Sequence, residues 1–379
     1  MSIDFYFYPL GRYTMINKII SCFALGLLLQ LCGFSQSKIE NIIVVTTDGL
    51  RWQELYNGMD SALANNAAFN QNQKDHLYQT FWHADPAERR KKLLPFIWGH
   101  FAANGQLYGN RAYNNFADVT NPHWFSYPGY NEMFTGYVDP AINTNSHPDN
   151  PNLNVLEFIS NQPGYKNKVA AFGSWEAYGR ILRKKTSGFP VIAAFDTIDW
   201  KNATNTEKAI NAMKQDSHRP GDDHGCADVF NHYQAMEYLK TKQPKVLYIA
   251  YLETDDWAHA GKYSNYLKAA QQVDTWLQEL WNFIQSTAAY KDKTALLITT
   301  DHGRGDINKA QWTSHGAKIE GASEIWLAVM GPGIPAKGEV KKPMQLYQKQ
   351  VAQTIAALLA FNFTAAHPVA PAIHQVKEK

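Results

Sequence analysis

Residues 41–49 read NIIVVTTDG. Ile42 to Thr47 are β-branched without a break, and such side chains are stiff at χ1 and suit a pleated surface. The run does not alternate with polar residues. It therefore fits a strand buried on both faces of a parallel sheet, with Asp48-Gly49 opening the loop beyond it. Runs of the same kind recur at residues 245–252 (KVLYIAYL), 294–300 (TALLITT) and 324–330 (EIWLAVM). Between the first two of these, Tyr266, Ala270, Val273, Leu277, Leu280, Trp281 and Ile284 fall at three- and four-residue spacing, the apolar stripe of a helix. Residues 345–359 give another helix. Strands alternating with helices predict an α/β fold, a doubly wound, mostly parallel sheet flanked by helices.

Residues 36–379 are read as a single catalytic domain. Within about 139–244 the chain is rich in Asn, Pro and Gly, with short strand-like pieces at 168–172 and 190–195, and a cap insertion is expected there. The polar, helical stretch 60–90 reads as another insertion. Residues 1–35 are read as a signal peptide, with Met15 as an alternative start. Lys18 precedes the short apolar run IISCFALGLLLQLCGF, and small residues follow. An uncleaved anchor is the other reading, but Gln30 interrupts the run and it is short for a span. The mature chain is expected to be exported, periplasmic or secreted, without a stable membrane span. Of three cysteines, Cys22 and Cys32 lie in the apolar stretch and only Cys226 beyond it, which excludes a disulfide framework. Lys and Arg number 36 against 34 Asp and Glu, for a net charge of +2. A nucleic-acid binder would show a basic bias, so no such partner is expected.

The acidic and histidine residues gather behind the strands. Asp48 follows the first; Asp255 and His259, in ETDDWAH, follow the second; Asp301-His302 follows the third; His315, in WTSHG, precedes the fourth. Asp256 competes with Asp255, and the four-residue spacing to His259 favours Asp255. Open α/β sheets bind ligands at the carboxyl ends of their strands. Three Asp and three His delivered to one edge make two sets of N/O ligands, suited to zinc, with manganese or iron as alternatives. Two divalent ions about 4 Å apart serve in-line displacement at phosphorus, and a nucleophile is then expected close by. Ser126, in NPHWFSYPGYNEMFTG, is the candidate. Pro128-Gly129 reads as a turn, and Asn131 to Gly136 as a helix start whose N–H groups favour anions.

These residues resemble the alkaline phosphatase superfamily, and within it the type I phosphodiesterase/nucleotide pyrophosphatase group. The pattern stands here as TTDG with Asp48, SYPGYNEMFTG with Ser126, ETDDWAH with Asp255 and His259, TDHGRGD with Asp301 and His302, and SHG with His315. The resemblance implies that the core is alkaline phosphatase-like. It implies that Asp255, His259 and His315 hold one metal and that Asp48, Asp301 and His302 hold the other, with Ser126 Oγ bound to it. Ser126 would attack phosphorus to give a phosphoseryl intermediate, which water then releases. The chain also departs from the pattern. The phosphodiesterase group carries an Asn three residues after the nucleophile; here that position is Gly129, and Asn131 is the substitute expected to contact substrate. Tyr130 occupies the place of the sulfatases' Arg, which argues against a formylglycine enzyme.

The implied substrate is a small phosphate ester, cleaved with two divalent metals, zinc foremost and manganese second. A monoester carries a third free oxygen that a cation would hold, and Arg180, in GSWEAYGRILRKK, is the expected one. That reading favours a phosphomonoesterase. A phosphodiesterase or nucleotide pyrophosphatase is the alternative, with a sulfatase-like enzyme or phosphotransferase behind it. The loop HRPGDDHG, His218–His224, is read as a polar loop with no assigned role.

Overall fold

The computed structural model describes residues 1–6, 39–198, 201, 203–217 and 224–378. Residues 7–35 of the stretch 1–35, read above as a signal peptide, and residues 218–223 of the polar loop lie outside them. Ten strands are present among the described residues: β1 (Asn41–Thr47), β2 (Gly105–Tyr108), β3 (Asn115–Asp118), β4 (Val169–Gly173), β5 (Val191–Ala193), β6 (Val246–Tyr251), β7 (Thr294–Thr299), β8 (Leu327–Met330), β9 (Gly338–Glu339) and β10 (Met344–Tyr347). Eight form one sheet in the order β5-β4-β6-β1-β7-β8-β2-β9, while β3 and β10 pair apart from it. β5, β4, β6, β1 and β7 are parallel, so the doubly wound reading holds.

β1 lies at the centre and is buried throughout. Successive side chains point to opposite faces. Ile43 and Val45 enter one core layer, which also takes Tyr266, Ala270, Val273, Leu277, Leu280 and Ile284 of the helix Tyr263–Ser286. Ile42 and Val44 enter the other, with Tyr130, Met133 and Phe134 of the helix Ser126–Thr135 and Val351 and Ile355 of the helix Gln350–Leu358. Each fully buried aliphatic side chain contributes about 1.5–3 kcal/mol relative to leaving it in water. Substitution of Val45 by a charged residue would break this centre.

One central pair departs from the parallel pattern, as a mostly parallel sheet allows, and three expectations change. β8 runs antiparallel to β7. The segment between them contains only a short 3-10 turn, Lys309–Thr313, and no crossover helix, so the chain re-enters the sheet from the edge it left. The pieces at 168–172 and 190–195 become β4 and β5 of the main sheet, so the 139–244 segment supplies a sheet edge as well as surface structure. The stretch 60–90 forms the helices Ser61–Asn65, Lys74–Phe81 and Pro86–Leu93, whose Leu63, Leu77, Phe81 and Leu93 cover the first core layer. The helix read over 345–359 begins only at Gln350, because residues 344–347 pair with β3. Ile39–Lys379 is one compact unit. Among the described residues no helix is long and apolar enough to cross a membrane.

Candidate active site

The register of the three central strands brings the site residues together. Thr47 is level with Tyr251 of β6, and Thr46 with Thr299 of β7. Asp48 and Asp301 therefore leave neighbouring strand ends on the same edge. Asp255 stands in the first turn of the helix Glu253–His259, directly after β6, and His259 in its last turn on the same face. Asp255 belongs to a candidate ion-holding group with His302 and His315, and neither Asp256 nor His259 is part of that group. Two bonds stitch the loops: Thr254 Oγ1 donates to the Asp48 carbonyl (2.5 Å) and Gly49 N donates to Asp301 Oδ1 (3.1 Å). Gly49 has φ +58°, and a Cβ there would stand 2.9 Å from both Asp255 Oδ1 and Arg304 Nε. No other residue fits.

The ligand side chains form two adjoining groups. In the inner group His302 Nε2 lies 3.3 Å from Asp48 Oδ1 and 3.4 Å from Asp301 Oδ2, and all three side chains are wholly buried. In the outer group His259 Nε2 lies 3.2 Å from Asp255 Oδ2 and 2.9 Å from His315 Nε2, and His315 Nε2 is 3.8 Å from Asp255 Oδ1. His302 Nε2, 3.9 Å from Asp255 Oδ1, joins the two. Ser126 Oγ lies 3.4 Å from the same His302 nitrogen.

Ser126 opens the helix Ser126–Thr135, so Pro128 and Gly129 sit inside its first turns and form no separate turn. Proline is tolerated there because its missing N–H would have had no helical partner. Gly129 is required by packing: a Cβ would lie 2.6 Å from the Asp301 carbonyl. The approach to Ser126 is strained and held. Trp124 has φ +52°, a costly value for a bulky residue. Asn121 Oδ1 accepts from the N–H groups of His123 and Trp124. The buried Glu132 carboxylate in turn accepts from Thr120 N, Thr120 Oγ1, Asn121 N and Lys349 N.

The electrostatics follow from burial and crowding. Burial first, then the charges of Asp301 and Asp255, push the Asp48 carboxyl well above its usual range. Burial also raises Asp301, against the pull of His302. Burial opposes protonation of His302, but Asp301, Asp48 and Asp255 outweigh it and push the imidazole up to about 9. Burial and the neighbouring His302 hold His315 well below its ordinary value. Burial would raise Asp255, yet Arg304, then His259, pull it well below the carboxylate range. Buried carboxylates this close raise one another, and His302 beside Asp48 and Asp301 and Arg304 beside Asp255 offset that repulsion.

The donor set fits metal. Asp48 Oδ1 and Asp301 Oδ2 are buried without a hydrogen-bond partner, which is costly for a carboxylate in a dry site. His302 Nδ1 meets the Gly303 carbonyl at 2.9 Å, the bond that turns Nε2 and its lone pair inward. Asp48, Asp301 and His302 form one grouping able to hold an ion; Asp255, His302 and His315 form another.

Two expected substrate contacts are placed elsewhere. Asn131, five residues beyond Ser126, falls on another face of the helix. Its Nδ2 donates to Tyr137 O (3.0 Å), and its Oδ1 accepts from Asn150 (3.0 Å) and Asn152 (3.3 Å), so its amide is used up in packing. The guanidinium of Arg180 donates to the carbonyls of Asn145 and His147 and pairs with Glu176, bracing the loop over Tyr127. Three residues were missed. Tyr130 OH donates to Asp48 Oδ2 (3.1 Å), Gln348 Nε2 donates to the Asp301 carbonyl (2.6 Å), and Arg304 pairs with Asp255. Tyr130 and Arg304 lie inside the quoted motifs, but a motif does not show which way a side chain turns. Gln348 lies far along the chain with no local sign.

The model of the Metalloenzyme superfamily matches residues 223–362, the stretch that contains Asp255, His259, Asp301, His302 and His315. No curated protein matches the sequence. Among solved structures, the alkaline phosphatase PafA aligns with TM-score 0.59 and 10% identity, over 90% of this chain and 99% of that one. The lipoteichoic acid synthase LtaP from Listeria monocytogenes aligns with TM-score 0.55 and 14% identity, over 87% and 74%. The phosphonate monoester hydrolase of Agrobacterium radiobacter aligns with TM-score 0.54 and 12% identity, over 89% and 77%. The chain thus has the alkaline phosphatase fold, and its residues 223–362 match the Metalloenzyme superfamily model. The resemblance to the alkaline phosphatase superfamily is borne out at that level.

Proposed function

We propose that this protein is an exported hydrolase of small phosphate esters that uses two divalent metals, zinc foremost, with Ser126 as nucleophile. The observation that carries the reading is the position of Ser126 Oγ, 3.4 Å from the histidine shared by both ligand groups. Asp48, Asp301 and His302 would hold one metal beside Ser126, and Asp255, His259 and His315 the other. Bound there, the metals supply Lewis acidity: they lower the pKa of the serine hydroxyl and screen the transferring group. Ser126 Oγ, its proton lost to solvent, forms the bond to phosphorus as the bond to the leaving oxygen breaks, and the leaving alkoxide takes a proton from solvent. Water then attacks the phosphoserine, its proton returns to Ser126, and the phosphate is released. The strained Trp124 turn and the Glu132 anchor hold Ser126 in place between turnovers.

One observation favours the second reading, a phosphodiesterase. Arg180 was to hold the third oxygen of a monoester, yet its guanidinium is given to two carbonyls and Glu176. A diester has no such oxygen to satisfy. The deciding experiment is kcat/KM of the zinc-loaded protein for p-nitrophenyl phosphate against bis(p-nitrophenyl) phosphate. Acid quench and peptide mass spectrometry should find phosphate on Ser126; turnover of neither ester, with no phosphoserine, would overturn the proposal.

A further inference from the structure

Arg304 lies in the middle of TDHGRGD and is wholly buried beside the ligand cluster. Its Nη2 pairs with Asp255 Oδ1 and also donates to the Asp255 carbonyl (3.2 Å). Nη1 donates to the Trp312 carbonyl (3.4 Å), so the guanidinium is fixed by backbone as well as by charge. Gly49 keeps the space open: a Cβ there would stand 2.9 Å from Arg304 Nε. Asp255 is the one acidic ion-pair partner of Arg304 among the described residues. Its other oxygen, Oδ2, faces His259 at 3.2 Å and stays available as a ligand.

Charge counting separates the two groups. The inner group brings two carboxylates, Asp48 and Asp301, with neither oxygen paired to a cationic Lys or Arg. The outer group brings one carboxylate, and Arg304 already neutralises it. A divalent cation that displaces the protons held by each group therefore meets two carboxylate charges at the inner group and, with Arg304 counted, about zero at the outer one. In a poorly screened site that difference outweighs the benefit of holding one carboxylate in place. The outer group is also the more open, with the His259 side chain 46% exposed against none for His302.

We propose that Arg304 makes the two ligand groups unequal, leaving Asp255–His259–His315 a weak, exchangeable divalent-cation site beside a tight Asp48–Asp301–His302 site. The inference rests on the two-metal reading above, but not on which ester is cleaved. Arg304 acts through Asp255 and is a positioning residue of that site.

The test is equilibrium binding of Zn²⁺ or Mn²⁺ alone to the metal-free full-length protein, read by metal analysis after dialysis against a competing chelator. The wild type should bind in two steps whose affinities differ by roughly tenfold or more, the span over which residues behind metal ligands act. His259→Ala should remove the weaker step and spare the stronger. Arg304→Met, similar in length but uncharged, should tighten the weaker step by roughly tenfold and leave the stronger within about threefold; Arg304→Lys should resemble the wild type. Two equal steps, loss of the stronger step in His259→Ala, or a weaker outer site in Arg304→Met would each overturn the proposal. If Arg304→Met does not fold, the wild-type and His259→Ala curves still decide. A single equivalent in total would instead overturn the two-metal reading itself, and turnover plays no part in any of these outcomes.

Discussion

The inner and outer ligand groups share His302 and are built differently. Asp48, Asp301 and His302 come from loops that directly extend β1 and β7, and their side chains have no exposure. Asp255 and His259 come from a short helix and His315 from the return loop before β8; the His259 side chain is 46% exposed and that of His315 13%. The first group inherits its rigidity from the sheet. The second is held by side chains, chiefly Arg304, and faces the solvent from which substrate and water arrive. On the proposed reading, the buried, strand-anchored half fixes the nucleophile, while the open half exchanges the ion it holds.

The largest effect should come from Ser126→Ala. Turnover should fall by on the order of 10³-fold or more while the protein keeps its metal. Activity within tenfold of wild type would break the assignment of the nucleophile to the inner half. Next, His315→Ala should lose about one equivalent of metal, with affinity at the outer group down by roughly 10–100-fold and the inner group retained; metal analysis separates the two. Tyr130→Phe removes the hydroxyl that fixes Asp48 Oδ2, so inner-group affinity should drop by about tenfold. An unchanged chelator titration would remove Tyr130 from the site.

Two smaller effects serve as contrasts outside the ligand groups. Asn131→Ala strips partners from Tyr137 O, Asn150 and Asn152, at a cost of about 1–3 kcal/mol in stability. The kcat/KM of the folded variant should stay near wild type; a selective loss of kcat/KM at normal stability would return Asn131 to the substrate site. His232 is a buried histidine outside the candidate ligand groups. It stacks on Trp276 and meets Tyr251 OH, and Glu279 Oε2 lies 3.5 Å from its Nε2. Burial, then the charge of Lys240, holds it down to about 3. A histidine lowered in the folded state contributes stability that is present above its unfolded pKa of about 6.5 and lost as pH falls toward about 3. The Tm of His232→Phe should therefore fall less than that of wild type between pH 7 and pH 5.

Much of this was legible because the relevant patterns are local. The β-branched run 42–47 and the stripe from Tyr266 to Ile284 each state their own burial. The ligand motifs were legible because they sit at strand ends, where short-range sequence fixes the exit. What the sequence did not show is the partners that some of these side chains take elsewhere in the chain. Asn131 looked like a substrate ligand by its spacing from Ser126, but Asn150 and Asn152 claim its amide. Arg180 looked like a free cation until the carbonyls of Asn145 and His147 took its donors.

The amino-acid sequence alone determined the central strands, the amphipathic helix and which carboxylates and imidazoles could reach the sheet edge, since each is written in spacing and side-chain shape. Only the tertiary structure decided that β8 turns back on β7. It also decided that Gly129 must yield to the Asp301 carbonyl, and that Arg304 and Tyr130 each take one oxygen of a different ligand carboxylate. Those choices depend on the direction of a side chain within a packed interior, and that direction is set by neighbours from about 50 to 170 residues away in the chain.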